Sequence, residues 1–310
     1  MDYRNLGRSG LRVSVIGLGC NNFGGRIGLE GTRAVVHAAL DQGITLFDTA
    51  DMYGNRGGSE TALGELLGER RKDIVLASKF GMAMDDTGVL KGGSRRYIMS
   101  AVEASLKRLR TDWIDLYQFH TPDPLTPLDE TIRALDDLVR QGKVRYIGCS
   151  NMPAWQVVDA QWIASSAGLT SFVSCQDEYS LLLRGAETDL FPAMHAKGLG
   201  LLPFYPLAGG LLTGKYTRGA EAPDGTRFKD PRFSDRYMTE ANWSKVEKLQ
   251  AIADQAGLSL LELSFAWLLS RPEVSSVIAG ATRPEQIASN VAAGTRKLSS
   301  EIVARIDAAT

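Results

Sequence analysis

The segment ITLFDTADMYGNRGGSE, residues 44–60, carries one complete unit of the pattern that decides the fold. Its first five residues form a short apolar run that ends on a carboxylate, Asp48. A glycine-rich loop with Tyr53 follows, and Ser59 then begins SETALGELLG (59–68), which predicts a helix with a serine cap. A buried strand, a polar loop and a helix in this order form the repeating unit of a parallel α/β protein.

The same unit recurs along the whole chain. Seven more apolar runs have the length of strands, at residues 13–20, 73–79, 113–120, 144–151, 172–176, 199–204 and 275–281. They are almost continuously apolar, as parallel strands buried on both faces are. Helical patterns separate several of them, at residues 30–43, 95–109, 128–142 and 187–198. Alternation of this kind predicts an α/β fold, a closed (β/α)8 TIM barrel in one domain that covers residues 1–310.

An open, doubly wound sheet is the alternative to a barrel. Its usual dinucleotide fingerprint is incomplete here, because GLGCNN (17–22) has Gly17 and Gly19 but Asn22 where the third glycine belongs. The barrel is therefore the favoured fold.

Three segments fall outside the repeating unit. The N-terminal YRNLGRSGLRVS (3–14) is typical of a β-hairpin, which would plug the bottom of the barrel. After the seventh strand, about 35 residues rich in glycine, proline and charge form a loop of a length usually linked to function or mobility. Extra C-terminal helices are predicted at 240–256, 259–270 and 299–308.

Composition narrows the class of function. The 310 residues carry a net charge of −1, so no strong field attracts nucleic acid or an anionic membrane. No apolar run approaches the length of about 20 residues that a membrane helix needs, and the N-terminus does not resemble a signal peptide. The cysteines, Cys20, Cys149 and Cys175, form no CxxC pair and indicate neither a metal site nor a disulfide framework. We therefore expect a cytoplasmic protein without a metal ion.

Polar residues end three neighbouring strands of the predicted barrel. Asp48 ends the second strand, Lys79 the third and His120 the fourth. Active sites of barrels lie at the carboxyl ends of the strands, so these three side chains should converge there. Tyr53, on the loop after the second strand, can fold back over them.

The four residue types suit proton donation to a carbonyl group. A free tyrosine has a pKa of about 10 and is a poor acid at neutral pH. A nearby lysine ammonium favours the phenolate and should lower that pKa, and Asp48 can keep a buried Lys79 charged. His120 can donate a hydrogen bond that orients a carbonyl oxygen. Each of these residues taken singly could instead be structural, and we expect His37 and His195 to be structural or solvated.

With these residues in place, the sequence resembles the aldo-keto reductase family, in its bacterial NADPH-dependent form. The resemblance covers essentially the whole chain and is carried by the motifs GITLFDTADMYG, LASKFG, DLYQFH, GKVRYIGCSN, QDEYSLL and GATRPEQIASN. It implies reduction of an aldehyde or ketone by a nicotinamide cofactor. By this resemblance Tyr53 is the general acid, Lys79 and Asp48 tune it, and His120 positions the carbonyl.

The resemblance also implies a set of cofactor-binding residues. Ser150, Asn151 and Gln176 match the positions that bind the nicotinamide carboxamide, and Tyr205 matches the aromatic residue that stacks on its ring. The remaining implied cofactor residues, together with the strand-end Asp48, are Asn22, Phe23, Pro206, Leu207, Gly209, Leu211, Lys215, Gly280, Thr282, Arg283, Gln286 and Asn290.

The choice of cofactor depends on the adenosine end. Arg283 could fork onto a 2′-phosphate, which favours NADPH/NADP+ over NADH. Ala281 stands where many family members have a lysine, which departs from the family pattern. A second role is also compatible with the motifs, because some members resemble cytoplasmic β subunits of potassium channels. For these members, cofactor occupancy regulates a partner.

We expect the protein to act on a small-molecule carbonyl substrate, whose identity the sequence does not give. The sequence does not give the oligomeric state either. Phe23, Phe80 and Trp113 are candidates for an apolar wall of the substrate pocket. The loop at residues 80–96 is expected to border it.

Overall fold

The computed structural model describes every residue, Met1–Thr310, and consists of ten strands and eleven α-helices. The strands are β1 (Tyr3–Asn5), β2 (Arg12–Ser14), β3 (Ile16–Gly19), β4 (Leu46–Asp48), β5 (Val75–Phe80), β6 (Ile114–Phe119), β7 (Val144–Ser150), β8 (Phe172–Gln176), β9 (Gly200–Leu201) and β10 (Val277–Gly280). The helices are α1 (Leu29–Asp41), α2 (Tyr53–Leu67), α3 (Arg95–Leu109), α4 (Leu128–Arg140), α5 (Ala154–Ala167), α6 (Leu190–Lys197), α7 (Pro231–Tyr237), α8 (Glu240–Gln255), α9 (Leu260–Ser270), α10 (Pro284–Gly294) and α11 (Ser300–Ala309).

Eight strands form one parallel sheet in the order β10-β3-β4-β5-β6-β7-β8-β9. The two ends of this sheet meet at a parallel bridge between Leu201 and Val274. The amide of Leu201 donates to the carbonyl of Glu273 at 2.7 Å, and the amide of Ser275 donates to the carbonyl of Leu201 at 2.9 Å. The sheet therefore closes, and the predicted (β/α)8 barrel is confirmed over the open alternative.

The N-terminal hairpin closes the bottom of the barrel, as predicted. β1 pairs antiparallel with β2, with Tyr3 opposite Ser14. Leu6 and Val13 of this hairpin are fully buried in a small cluster inside the barrel, with Leu46, Ala77, Leu116, Leu202 and Ile278. The apolar run at 13–20 is thus split between the second hairpin strand and the first barrel strand.

Four helices differ from the sequence prediction, and two of them, α7 and α10, lie outside the predicted helices. α5 is also absent from the predicted helices, because Trp155, Val158 and Trp162 expose apolar surface on its outer face and blur the amphipathic period. In α2, Ser59 does not cap the helix. Its hydroxyl donates instead to the carbonyl of Cys20 and bonds the hydroxyl of Thr49, each at 2.8 Å.

The long segment after β9 is ordered around short helical elements. It contains a 3-10 turn at Ala208–Thr213, another at Arg227–Lys229, and the helix α7. The predicted extra helices are present as α8, α9 and α11. No single helix is long and apolar enough to cross a membrane; only α8 and α9 taken together reach that length and composition, and they are bent by 93°.

Candidate active site

A buried ion pair lies at the carboxyl end of the strands. The ammonium of Lys79 in β5 lies 2.6 Å from Oδ2 of Asp48, the last residue of β4. The ammonium also donates to the carbonyl of Thr49 at 2.9 Å and to the hydroxyl of Tyr53 at 3.5 Å. Lys79 is completely buried. The structure therefore brings together the aspartate, lysine and tyrosine that the sequence singled out.

The second oxygen of Asp48 is held by two amide side chains. Its Oδ1 accepts hydrogen bonds from Gln176 at 2.8 Å and from Gln118 at 3.1 Å. With Lys79 on Oδ2, both carboxylate oxygens are satisfied, as a buried charge requires. Gln118 was not among the predicted site residues. The signal for it was a polar residue inside an apolar strand, two positions before His120 and so on the same face.

The ion pair keeps Lys79 charged despite its burial. Burial acts to lower the pKa of Lys79, but the charge of Asp48 and the hydrogen bonds to Asp48 and Tyr53 outweigh it. The pKa therefore lies above its usual value, and the group is an ammonium at neutral pH. This agrees with the role of Asp48 expected from the sequence.

The pKa of Tyr53 does not follow the sequence prediction. Burial of the phenol raises it, and this effect exceeds the lowering by the charge of Lys79. The negative charge of Asp48 also acts upward, so the net shift is above the usual value of a tyrosine. The expected lowering is therefore wrong: Asp48 neutralises much of the lysine charge, and the phenol remains protonated at neutral pH.

His120 is an uncharged hydrogen-bonding group at the same rim. Burial, with a further contribution from the charge of Lys79, lowers the pKa of His120 to about 3. Its ring meets the ring of Tyr53 edge to face, with centroids 5.8 Å apart. Its Nδ1 is buried and has no hydrogen-bond partner within the protein. A neutral imidazole can donate one hydrogen bond, which suits the orientation of a carbonyl oxygen.

Glycines shape the loop that carries Tyr53. Residues Gly54–Gly57 all have positive φ, so the chain makes a left-handed turn directly after the tyrosine. A Cβ atom on Gly54 would lie 2.4 Å from the carbonyl oxygen of Phe23. The glycine-rich sequence is therefore needed both for the turn and for its close contact with the loop after β3.

A cleft of about 940 Å³ opens from this rim across the barrel. Its floor includes the ends of β3 and β10, and its walls include the segment after β9 and the start of α10. Among the residues singled out in the sequence, it is lined by Asn22, Asp48, Tyr53, His120, Ser150, Gln176, Tyr205, Pro206, Leu207, Gly209, Lys215, Gly280, Thr282, Arg283, Gln286 and Asn290. One continuous cavity thus reaches from the tyrosine to the segment GATRPEQIASN.

Four of the singled-out residues do not line the cleft. Lys79 lies behind Tyr53, and Phe23 and Leu211 are buried in the core. Asn151 supports its neighbours instead: its side-chain amide donates to the carbonyl of His120 and to the hydroxyl of Ser150, both at 3.0 Å.

The expected apolar pocket wall is wrong. Phe80 is fully buried and stacks on Tyr117 at 4.8 Å. Trp113 precedes β6, so it lies at the opposite end of the barrel, against the guanidinium of Arg71. No residue of the loop at 80–96 lines the cleft either. A strand-end aromatic residue reaches the site only at the carboxyl end and on the inner face. Trp113 fails the first condition, and Phe80, which follows the inward-facing Lys79, fails the second.

The cleft carries an excess of unpaired positive charge. Arg26, Lys215, Arg227 and Arg283 line it, and none of them forms an ion pair with a carboxylate. Of the three acidic residues of the cleft, Asp48 pairs with Lys79 and Asp224 with Lys229, which leaves Glu285 as a single unpaired carboxylate against these four cations. This donor set fits the phosphate groups of a dinucleotide.

Two of these cations were not singled out in the sequence. Arg227 is held with its guanidinium carbon 5.1 Å from the ring centroids of both Tyr205 and Phe233. Arg26 donates a hydrogen bond to the carbonyl of Gly225 and so joins the loop after β3 to the long segment. Both contacts connect segments that are distant in sequence, and no local pattern indicates them.

The start of α10 forms the far end of the cleft. Gln286 Oε1 accepts hydrogen bonds from the amide of Thr282 at 2.7 Å and from the amide of Arg283 at 3.3 Å. Gln286 thereby caps the helix, while the exposed guanidinium of Arg283 forms no hydrogen bond with the protein. The arginine is free to meet an anion at this end.

The fold is a closed parallel barrel. One rim carries a tyrosine, a buried lysine–aspartate pair and a neutral histidine, and a cationic cleft lies beside them. This is the architecture of a barrel-fold oxidoreductase. The chain belongs to the aldo/keto reductase family, whose family model matches residues 15–310. Enzymes of this family generally use NAD(P)H.

Individual relatives span nearly the whole chain. The chain is 38% identical to a probable voltage-gated potassium channel subunit beta of Oryza sativa subsp. japonica, over 99% of this chain and 96% of that protein. It is 37% identical to the uncharacterized oxidoreductase YrpG of Bacillus subtilis, over 98% of this chain and 94% of that protein. It is 35% identical to the L-glyceraldehyde 3-phosphate reductase of Escherichia coli O157:H7, over 99% of this chain and 92% of that protein.

Proposed function

We propose that this protein is an NADPH-dependent reductase that converts a small aldehyde or ketone to an alcohol, with Tyr53 as the general acid. The observation that carries the proposal is the short path from Asp48 through the buried Lys79 ammonium to the hydroxyl of Tyr53, which lines the cleft. A reduced nicotinamide supplies the hydride when it is bound in the cleft.

The chain supplies the proton and the orientation. The phenol of Tyr53 is protonated at neutral pH and donates its proton to the carbonyl oxygen as negative charge develops there. The Lys79 ammonium, 3.5 Å from that hydroxyl, stabilises the phenolate that remains. His120 offers a neutral N–H to the same oxygen. Asp48 holds the lysine in place through its own hydrogen bonds with Gln118 and Gln176.

NADPH is the proposed cofactor. Ser150, Gln176 and Tyr205 line the end of the cleft that would hold the nicotinamide. Lys215 and Arg227 lie on the segment that would cover the pyrophosphate. The exposed, unpaired Arg283 supports a preference for the cofactor that carries a 2′-phosphate, since a guanidinium binds phosphate through paired donors.

Small polar aldehydes are the proposed substrates, and phosphorylated trioses are the first to test. One relative is named for L-glyceraldehyde 3-phosphate. Arg26 supports this choice, since it lines the cleft without a carboxylate partner and follows Gly25, which packs against Gly54 beside the catalytic tyrosine.

A regulatory subunit is the second candidate function. It is favoured by the 38% identity to a relative named as a potassium channel beta subunit. The two roles are compatible in the cleft but differ in what they require of Tyr53. A regulatory subunit needs only cofactor binding, whereas a reductase also needs the proton donor.

The experiment is a turnover assay. NADPH oxidation is followed at neutral pH with L-glyceraldehyde 3-phosphate, L-glyceraldehyde, and aliphatic and aromatic aldehydes, for the wild type and for Tyr53→Phe. Turnover that Tyr53→Phe abolishes supports the reductase. Tight NADPH binding with no turnover of any carbonyl compound would contradict it and favour the regulatory role.

A further inference from the structure

Asp51 lies between Asp48 and Tyr53 and is not part of the proposed proton path. It is 1% exposed. Its amide donates to the carbonyl of Lys79 at 3.0 Å, and the amide of Thr49 donates to the carbonyl of Ala77 at 2.9 Å. The backbone after β4 therefore continues to pair with β5 as far as Asp51, which brings the loop of Tyr53 directly over Lys79.

The side chain of Asp51 joins this loop to a helix of the outer layer. Its Oδ2 accepts a hydrogen bond from the hydroxyl of Tyr97 in α3 at 3.2 Å. Its Oδ1 is buried and has no hydrogen-bond partner. Burial of a carboxyl oxygen without a hydrogen-bond partner destabilises the folded protein. A carboxyl group at this position therefore suggests a role that an apolar residue could not fill.

A second contact with α3 lies on the other side of Tyr53. A Cβ atom on Gly57 would lie 2.6 Å from Cδ of Arg108, so the left-handed turn rests on this arginine. Arg108 in turn forms an ion pair with the buried Glu60 at 2.7 Å. The loop that carries Tyr53 is thus attached to α3 two residues before the tyrosine and four residues after it.

The charges around Asp51 favour its neutral form. Burial is the main cause that raises the pKa of Asp51 to about 7, and the negative charge of Glu60 in α2 adds to it. The hydrogen bond from Tyr97 and the charge of Arg108, both in α3, act in the opposite direction. Tyr117 in β6 faces the same cluster with a buried hydroxyl that has no partner.

We propose that Asp51 is a positioning residue: through its hydrogen bond with Tyr97, its carboxyl group fixes the loop that holds Tyr53 over Lys79. The neutral form of the Asp51 carboxyl group is the form that is compatible with this buried position. Ionisation would place a second negative charge beside Glu60, with Oδ1 unsolvated, and the loop would have to open to hydrate it. This inference rests on the proposed reductase function, because positioning matters only where Tyr53 acts as an acid.

The test compares Asp51→Asn, Asp51→Ala and Tyr97→Phe with the wild type between pH 6 and 9. Asp51→Asn keeps an acceptor for Tyr97 and cannot ionise. The matched controls are the exposed Asp159→Ala and the surface Tyr3→Phe. Three quantities are measured: kcat and KM for the best carbonyl substrate, Kd for NADPH by fluorescence, and amide hydrogen exchange of residues 49–58, corrected for intrinsic rates.

We expect Asp51→Ala and Tyr97→Phe to lower kcat by roughly ten- to a hundredfold, the cost of a small misplacement of a reacting group. Kd for NADPH should stay within about twofold, because neither Asp51 nor Tyr97 lines the cleft. Exchange at residues 49–58 should rise in both variants. Above pH 7 the wild type should lose kcat and gain exchange, and Asp51→Asn should do neither.

Two outcomes would overturn the inference. One is a wild-type kcat and wild-type exchange for both Asp51→Ala and Tyr97→Phe. The other is the same pH dependence for Asp51→Asn and the wild type, which would mean that Asp51 is only structural. The exchange measurement needs no turnover. If the wild type reduces no carbonyl compound, the proposed function is contradicted. The exchange rates of residues 49–58 still test whether Asp51 fixes the loop.

Discussion

The ammonium of Lys79 contacts both the hydroxyl of Tyr53 and the face of its aromatic ring. Its ammonium lies 3.5 Å from the tyrosine hydroxyl and 4.9 Å from the centroid of the ring. The same ammonium is 2.6 Å from Asp48, so the carboxylate takes the shorter contact. The lysine therefore acts on the phenol as a partly neutralised charge, which explains why burial decides the direction of the pKa shift of Tyr53.

The first prediction concerns the proton donor. Tyr53→Phe should lower kcat by about 10²–10⁴-fold, the usual contribution of general acid catalysis. Kd for NADPH should change little, because the lost hydroxyl faces the carbonyl. Single-turnover kinetics and fluorescence titration measure the two quantities, with Tyr3→Phe as the control. A variant that keeps more than roughly a tenth of wild-type turnover, when chemistry limits the rate, would rule out Tyr53 as the donor.

The second prediction concerns the buried ion pair. Lys79→Met should reduce turnover about as strongly as the loss of Tyr53. It should also lower the free energy of unfolding by about 3–5 kcal/mol, because it leaves Asp48 buried without its cation. Gln118 and Gln176 still donate to Asp48, so the lower end of that range is expected. Asp48→Asn should reduce turnover less. Urea denaturation gives the stability.

The control for the ion pair is Lys143→Met. Lys143 pairs with Glu103 on the surface, where an ion pair is worth about 0–1 kcal/mol. Equal destabilisation by Lys143→Met and Lys79→Met, or a Lys79→Met protein of normal activity, would contradict the mechanism.

The third prediction concerns cofactor choice. Arg283→Ala should raise Kd for NADPH by roughly ten- to a hundredfold, because a charge-assisted hydrogen bond is worth about 1.5–3 kcal/mol. Kd for NADH should stay nearly unchanged, since NADH has no 2′-phosphate. Fluorescence titration of both cofactors against both proteins measures this, with Arg296→Ala, which loses only a surface contact to Glu262, as the control.

Two results would count against this assignment. Equal weakening of NADPH and NADH would mean that Arg283 supports the adenine or the fold. Tighter binding of NADH than of NADPH by the wild type would overturn the preference for NADPH itself.

The fourth prediction concerns stability at acid pH. The folded-state pKa of His120 is about 3, below the value of about 6.5 of an unfolded chain. The unfolded state therefore binds the proton first as pH falls, and the contribution of His120 to stability is complete above pH 6.5 and is lost progressively towards pH 3. Between pH 7 and 5 this loss is about 2 kcal/mol. His120→Gln should lack it.

Denaturation of the wild type and His120→Gln at pH 7 and pH 5 measures this loss. The difference between the two proteins isolates His120 from other groups, among them Asp51, which acts in the opposite direction over this range. The control is His37→Gln on the exposed face of α1. An equal loss of stability in His120→Gln and the wild type would mean that His120 is not buried in its neutral form.

The sequence by itself determined the class of fold and the residues at the rim. Apolar runs that end on Asp48, Lys79 and His120 are local features, and parallel strands bring their carboxyl ends to one edge whatever the details of packing. The N-terminal hairpin and the helices α8, α9 and α11 could also be predicted, because their sequence patterns are local. α5 could not, because its exposed tryptophans hide the periodicity on which such a prediction depends.

Only the tertiary structure decided the electrostatics and the shape of the cleft. The pKa of Tyr53 depends on how deeply the phenol is buried and on how closely Asp48 holds Lys79, and neither is encoded in local spacing. Gln118 and Arg227 enter the site through contacts between elements far apart in the chain. Burial and Coulomb energies depend on distances in space, which neighbouring residues in a sequence do not set.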